Sequence, residues 1–351
     1  MKDVLTDIDR WRESGKPVAV ATVVETWGSA PRPMGARMAL TADGKIAGSV
    51  SAGCVENAVI EAGLSTLQTG RPRLLRFGVA DDTAWSVGLA CGGSIEVFVE
   101  KLEPEPYEIL RTEVLAERPV ASAAVVRGSD ALLGRRLTLL HDGSVRGSIA
   151  PGVDAAATSA AREALAAGTS RRLEIGPEPG VELFVEVLRP SPRLIVVGGV
   201  HIAMALVAMA RTLGFRTVIV DPRETFANRQ RFPDVDRIVT EWPDRALSEL
   251  SPDDSTAIIV LTHDPKLDDP ALATALASPA FYVGALGSRR TQEKRRERMR
   301  AAGVPAEHLA RLHAPIGLDL GGRSPEEIAL SIVAEVVGVR NRRIEAKTAP
   351  G

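Results

Sequence analysis

The feature that most constrains the fold of this chain is an internal duplication. Residues 17–102 and 119–188 carry glycines and alternating apolar residues at matching intervals. The clearest matches pair 34–38 with 133–137, 48–50 with 147–149, and 95–100 with 181–186. Shared glycines and shared apolar alternation are what two copies of one backbone need. We therefore predict an α+β domain over residues 1–188 that is built from two tandem repeats.

Three features occur in the first repeat and are missing from the second. They are the loop of residues 27–33, Cys54, and a longer stretch before the last strand that contains Cys91. Both cysteines of the chain are in this set, and the alignment places Val153 opposite Cys54. Because the second copy folds without them, these features are candidates for function.

Cys54 lies between a predicted strand end and a predicted helix over residues 54–67. The unpaired amides at a helix N-terminus lower the pKa of a thiol, and the thiolate is the form that binds soft metals or accepts sulfur. The alternative is a small buried apolar residue, as Val153 indicates. The same two interpretations apply to Cys91. Ser29 and Arg32, in a proline-bounded turn, offer a cation to an anionic ligand.

The predicted secondary-structure pattern changes after the two prolines at 190 and 192. Strands then alternate with helices over residues 193–345, which predicts a Rossmann-like, doubly wound parallel sheet. Its first strand ends in Gly198 and Gly199, and Asp221 ends the second, as in a site for a nucleotide ribose. Val200 replaces the glycine that lets a pyrophosphate approach. NAD(P) binding, a scaffold without nucleotide, and another phosphate-bearing ligand all remain open.

Further polar residues follow other strands of this half. If the strand order is 3-2-1-4-5, His201 and His263 meet at one crevice with Asp264 nearby, where they bind a phosphate or a metal, or only cap local backbone. Ser288 and Arg289 follow a glycine loop at a helix start, which is a natural anion site. A solvated basic helix face is the alternative.

Composition narrows the function classes. A net charge of -2 and a pI near 6.3 argue against a general nucleic-acid binder. No apolar run reaches the ~18 residues of a membrane helix, and the N-terminus resembles no secretory signal. Two cysteines make no disulfide framework. The expectation is a cytoplasmic protein with free thiols.

Taken together, the motifs resemble the xanthine dehydrogenase accessory (XdhC/CoxI) family over nearly the whole chain. The resemblance rests on residues 28–32, 48–56, 91–93, 198–203, 262–264 and 284–289. The family usually has Gly-Ala-Gly-His where this chain reads Gly-Gly-Val-His at 198–201. That departure weakens a nucleotide role for the second half.

The resemblance implies a chaperone that binds the molybdenum cofactor, protects it during sulfuration and passes it to a molybdenum hydroxylase. It also implies a cysteine desulfurase as partner; a homodimer is left open. The family's cofactor-associated cysteine maps to Cys54, which would also contact the metal, with Cys91 as second candidate. No catalytic residues are predicted. The cofactor-binding prediction comprises Ser29, Arg32, Gly53, Cys54, Cys91, Gly198, Gly199, His201, Asp221, His263, Asp264, Ser288 and Arg289.

Two other classes of protein remain as alternatives. One is an NAD(P)-dependent oxidoreductase or thiol-dependent transferase that uses Asp221 and Cys54. The other is a nucleotide-binding module without chemistry of its own.

Overall fold

The computed structural model describes residues 1–78, 93–175 and 180–348. It forms two compact units, Met1–Pro190 and Ser191–Gly351. Within the described ranges no helix has both the length and the apolar character needed to cross a membrane.

The first unit is the duplicated one. Its first repeat contains α1 (Lys2–Glu13), β1 (Val18–Trp27), β2 (Arg37–Thr41), β3 (Ile46–Gly48), α2 (Glu56–Thr69), β4 (Arg73–Phe77) and β5 (Ser94–Lys101). Its second repeat contains α3 (Pro104–Leu115), β6 (Val120–Arg127), β7 (Arg136–Leu139), β8 (Val145–Gly147), α4 (Asp154–Ala167), β9 (Arg171–Glu174) and β10 (Glu182–Leu188).

The described residues of each repeat form a five-stranded antiparallel sheet with the same strand order. The orders are β3-β2-β1-β5-β4 and β8-β7-β6-β10-β9. The duplication predicted from sequence is confirmed, and it also includes the helix before each sheet, α1 or α3. The helix predicted to begin at Cys54 begins two residues later, at Glu56.

The strands have apolar residues on both faces because both faces are covered. On β1, Ala19, Ala21 and Val23 pack in the core that α2 covers, while Val18 and Val20 pack with α1. A third, smaller core joins the two repeats. It consists of equivalent residues from each, Val24 with Val126 and Phe98 with Phe184. Burial of this apolar surface favours folding of the repeats as one unit.

The second unit is a parallel sheet with helices on both faces. Its elements are β11 (Arg193–Val197), α5 (His201–Thr212), β12 (Arg216–Val220), β13 (Arg237–Val239), α6 (Pro243–Leu250), β14 (Thr256–Val260), α7 (Pro265–Ala277), β15 (Tyr282–Ala285), α8 (Arg289–Ala301), α9 (Ala306–Ala310), β16 (Leu312–His313) and α10 (Pro325–Thr348).

The strand order in the described part of this unit is β13-β12-β11-β14-β15-β16, and all pairings are parallel. One core packs α5 and α10 on one face, and a second packs α6, α7 and α8 on the other. The predicted Rossmann-like sheet is therefore confirmed. The sequence pattern missed β16, since a two-residue strand is too short to show alternation.

Candidate functional site

One end of the first sheet brings together the loop of residues 28–36, the Cys54 loop and Gly93. There β1 ends at Trp27 and its neighbour β5 begins at Ser94, and these two residues pair. At the same end β2 begins at Arg37, and β3 ends at Gly48, which pairs with Met38, the residue after Arg37. The loops over residues 28–36 and 49–55 therefore leave from one edge of the sheet.

Packing confirms that these segments lie close to one another. Ala30 packs against the core that contains Val50 and Val55. Gly93 lies against the backbone of Trp27 and Ser29, where an added Cβ would come within 2.8 Å of the Ser29 carbonyl carbon. Cys91 lies outside the described residues.

Glu56 organises the loop that carries Cys54. Its carboxylate accepts hydrogen bonds from the Ser49 hydroxyl at 2.6 Å and from the backbone N–H groups of Ser51 and Gly53, both at 2.9 Å. Burial raises the pKa of the Glu56 carboxyl, but the hydrogen bonds from Ser49 and Ser51 outweigh it and hold that pKa at about 2. The loop is thus tied to the first turn of α2 by one ionised side chain.

The second repeat contains a shorter version of this loop. Asp154 accepts from the Ser148 hydroxyl at 2.6 Å and from the Ile149 N–H at 2.7 Å. Asp154 begins α4 as Glu56 begins α2, and the residues just before them, Val153 and Val55, are the two N-caps.

This geometry corrects the alignment of Cys54 with Val153. Val153 is the structural counterpart of Val55, because both pack into the core of their own repeat. Seven positions separate Ser49 from Glu56, and six separate Ser148 from Asp154. The loop that carries Cys54 is therefore one residue longer than its counterpart, Cys54 is not the equivalent of Val153, and it is exposed. Burial as a small apolar residue does not describe it.

Three backbone N–H groups of the Cys54 loop are paired within the loop. The N–H groups of Ser51, Gly53 and Val55 donate to Glu56, so they are already used within the loop. Gly53 has φ +123° and Ala52 has φ +62°. Both values lie in the left-handed region, and the two residues form the turn just before Cys54.

Arg32 and Ser29 belong to the neighbouring loop. The Arg32 guanidinium lies 3.3 Å from the Asp3 carboxylate on α1, and its Nε has no hydrogen-bond partner within the described residues. Ser29 is exposed, and next to it the Trp27 side chain is 78% exposed. This loop therefore presents an anchored cation and an aromatic surface on the edge that carries Cys54.

In the second unit, Asp221 is fully buried and engaged by its own chain. It accepts from the Gly199 N–H at 2.9 Å and from two guanidinium nitrogens of Arg223, both at 2.8 Å. Burial raises the pKa of the Asp221 carboxyl, but the bonds from Arg223 and Gly199 outweigh that effect and lower it. A carboxylate engaged in this way is a poor acceptor for ribose hydroxyls. Gly199 also lies tight against the Phe226 backbone, where a Cβ would be 2.4 Å from the carbonyl oxygen.

The two histidines lie at the same sheet edge. His201 begins α5 after β11, and His263 follows β14, which pairs with β11. Both side chains are exposed, and Asp264 caps α7 by accepting from the Lys266 N–H at 3.0 Å. Among the described residues no group of three or more His, Cys, Asp or Glu side chains is arranged to hold a metal.

Ser288 and Arg289 lie at the start of α8, the next helix along the sheet. Ser288 is its N-cap and accepts from the Thr291 N–H at 3.3 Å, while Arg289 is exposed. The prediction missed the buried pair next to them, Arg295 with Asp268, whose nitrogen and oxygen are 2.7 Å apart. A sequence with many arginines in one helix does not show which arginine side chain is buried.

Comparison with known proteins agrees with this architecture. Residues 194–336 match the family description "XdhC Rossmann domain", and residues 11–78 match "XdhC and CoxI family". The molybdenum cofactor insertion chaperone PaoD of Escherichia coli (strain K12) is 30% identical over 341 residues, which cover 96% of this chain and 88% of that protein. A probable subunit of xanthine dehydrogenase from Bacillus subtilis (strain 168) is 28% identical over 343 residues, covering 96% and 97%.

A solved structure is also similar over the full length. A crystal structure described as a xanthine dehydrogenase from Bacillus halodurans has a TM-score of 0.78 and 25% identity, covering 99% of this chain and 98% of the other. The chain belongs to the XdhC and CoxI family, as its motifs indicated.

Proposed function

We propose that this protein is an accessory chaperone for the molybdenum cofactor, and that it holds the cofactor at Cys54 before delivery to a molybdenum hydroxylase. A relative of 30% identity is named as a molybdenum cofactor insertion chaperone. The observation that carries the proposal is the position of Cys54. It is an exposed thiol on a loop that is one residue longer than its counterpart and that Glu56 ties down, at the end of the sheet where the loop of residues 28–36 and Gly93 also lie.

The chemistry of this edge suits such a cargo. A thiolate is a soft donor and a natural ligand for a metal that already carries sulfur ligands. One protein thiol leaves other positions on the metal open, which a chaperone needs if sulfur is to be exchanged and the cargo released. Arg32 supplies a cation for the phosphate of the pterin, and Ser29 adds a hydroxyl. Cys91 is a second thiol on the segment that leads into Gly93.

The proposed partners follow from this role. A molybdenum hydroxylase, of the xanthine or carbon monoxide dehydrogenase type, receives the cofactor, and a cysteine desulfurase supplies the sulfur. Gly198, His201, His263, Ser288 and Arg289 stay predicted ligand contacts of the second unit, taken by itself.

Retention of the cofactor by the purified full-length chain tests the proposal. The chain is mixed with molybdenum cofactor, and bound pterin is measured after gel filtration. We expect Cys54→Ser to weaken retention roughly tenfold or more, since loss of even an outer-shell partner of a metal ligand costs about tenfold or more in metal affinity. Ser159→Ala, an exposed site on α4, is the matched control and retains the cofactor as the parent does.

A second arm addresses maturation of a client enzyme. Apo-hydroxylase is incubated with loaded parent, Cys54→Ser, Cys91→Ser or the double variant, and its activity is followed. Normal retention and normal maturation by the double variant would show that neither thiol handles the cofactor. If NADH fluorescence showed tight saturable binding while pterin was not retained, the oxidoreductase alternative would replace this proposal.

A further inference from the structure

A cavity of about 170 Å³ opens between α7 and α8 in the second unit. Four cationic side chains of α8 line it, Arg290, Lys294, Arg295 and Arg298, together with His263 and Thr291. This volume is large enough to hold several water molecules. A phosphate group with part of its hydration shell fits this space.

The four cations divide into two kinds. Arg295 forms its buried pair with Asp268, and Arg298 donates to Asp269 at 2.6 and 2.9 Å. The side chains of Arg290 and Lys294 are exposed and form no ion pair or hydrogen bond with a described residue. Asp268, the carboxylate that also lines the cavity, is already paired with Arg295, so the charge of these two side chains is not balanced by it.

The spacing of these two cations has an energetic consequence. Arg290 and Lys294 are four positions apart, and Arg298 follows after four more, so all three lie on one face of α8. Like charges at this spacing destabilise a helix. An anion bound between Arg290 and Lys294 would turn this repulsion into attraction.

The wall of the cavity is held in place from the inside. Arg295 is 2% exposed and donates to the Leu286 carbonyl at 3.1 Å, while Gln292 donates to the Ala285 carbonyl at 3.1 Å. The Arg295 Nε has no hydrogen-bond partner among the described residues. That nitrogen is itself buried, so it adds no contact for a ligand, and the role of Arg295 is to hold the wall.

The opposite wall is also constrained. His263 has φ +61°, a left-handed conformation that costs energy in a residue with a side chain. Its neighbours hold it there, since Thr262 donates to Asp268 and the Asp264 side chain caps α7. Asp268 thus links the histidine loop to Arg295, and both walls depend on one carboxylate.

We propose that this cavity binds the phosphate group of a small molecule, with Arg290 and Lys294 as the principal contacts and Thr291 and His263 beside them. The site uses none of the residues of the Cys54 edge, and of the ligand contacts predicted in the second unit it shares only His263. Its principal contacts, Arg290 and Lys294, are not among them, so it can be tested separately from the proposed chaperone role. Either free phosphate or a nucleotide phosphate would supply the required charge and acceptors.

Calorimetric titration of the full-length chain with orthophosphate, pyrophosphate and AMP tests this site. We expect saturable binding that Arg290→Ala/Lys294→Ala weakens about tenfold or more, the equivalent of one lost charged hydrogen bond. Arg290→Gln/Lys294→Gln keeps the helix propensity and should weaken binding equally. Circular dichroism verifies that each variant is folded.

The control Arg245→Ala/Arg300→Ala removes two exposed cations of the same unit that do not line the cavity. If the control lost as much affinity as the cavity variants, binding would be diffuse attraction and the proposal would be overturned. Absence of saturable binding to all three probes would overturn it as well. Tighter binding of AMP than of orthophosphate identifies a nucleotide phosphate, and the reverse order identifies free phosphate; both results support the site.

Discussion

Arg37 on β2 and Glu186 on β10 form an ion pair between the two repeats that is almost fully buried, with side-chain exposures of 7% and 4%. The equivalent residues of the opposite repeats, Arg136 and Glu100, form a second pair. The duplication has therefore produced reciprocal contacts, in which each repeat supplies the counter-charge that the other needs.

Loss of one partner of this buried pair should strongly destabilise the first unit. Arg37→Ala leaves the Glu186 carboxylate without its counter-charge, and we expect a loss of about 3–5 kcal/mol in the free energy of unfolding. The double variant Arg37→Met/Glu186→Leu should recover most of that loss, since no charge remains buried. Urea unfolding measures both. A single variant as stable as the parent would contradict the assignment.

Arg172 on β9 should stabilise the end of the first sheet that carries the site. Its side chain is 8% exposed, and its Nη1 lies 2.6 Å from a carboxylate oxygen of Glu96 and 3.8 Å from one of Glu25. Its Nη2 also pairs with Glu182. Burial raises the pKa of the Glu25 carboxyl, and Arg172 opposes that rise. In Arg172→Leu we expect a still higher pKa for Glu25 and a loss of stability that is larger at pH 7 than at pH 4.

The pH dependence has a simple origin. At pH 7 three carboxylates would repel one another without Arg172, and at pH 4 partial protonation relieves that repulsion. Leucine occupies the equivalent position in the first repeat, Leu74, so the substitution suits the strand. Arg76→Ala, which removes a 74% exposed partner of Glu96, is the control and should cost little. An equal loss at both pH values would show that Arg172 acts only by packing.

Glu56 should make the Cys54 loop sensitive to acid. Its folded pKa of about 2 lies below the unfolded value of ~4.3. Its contribution to stability is therefore complete above pH ~4.3 and is lost as the pH falls towards about 2. Glu56→Gln should be less stable than the parent at neutral pH by about 1.5–3 kcal/mol, the usual contribution of hydrogen bonds to a charged group.

Unfolding of both proteins between pH 7 and pH 2 measures this effect. The difference between parent and Glu56→Gln should shrink as Glu56 becomes protonated in the parent. Ser49→Ala removes one of the donors to Glu56 and should give a smaller change of the same sign. A difference independent of pH would exclude the carboxylate charge as the cause.

Asp221 should be structural in the second unit. Asp221→Asn keeps the shape but loses the charge that Arg223 and the Gly199 N–H require, and we expect a cost of about 1.5–3 kcal/mol at pH 7. Because the folded pKa of Asp221 is lowered, its contribution is present above the unfolded value of ~3.9 and is lost as the pH falls below it. Thermal unfolding at pH 7 and at pH 3 measures the difference. An Asp221→Asn variant of unchanged stability would reopen a ligand role for this carboxylate.

Residue spacing predicts the features that have a local signature. The glycine turns and the strand ends could be read from it, and they place Cys54 and His263 on loops, as the structure has them. His201, predicted just before its helix, is instead the first residue of α5. The counterpart of Cys54 could not be read in the same way, because a one-residue insertion in a short loop leaves two alignments equally good. Only the pairing of Ser49 with Glu56 and of Ser148 with Asp154 resolves it.

The sequence by itself determined the duplication, the parallel sheet of the second half and the membership of the XdhC and CoxI family, because periodicity and glycine positions are local properties of the chain. The tertiary structure alone decided which charges meet. Arg37 and Glu186 are 149 positions apart, and Arg295 and Asp268 are paired while Arg290 and Lys294 are not. Which side chain turns inward depends on the orientation of packed elements, and residue spacing along one element does not specify that orientation.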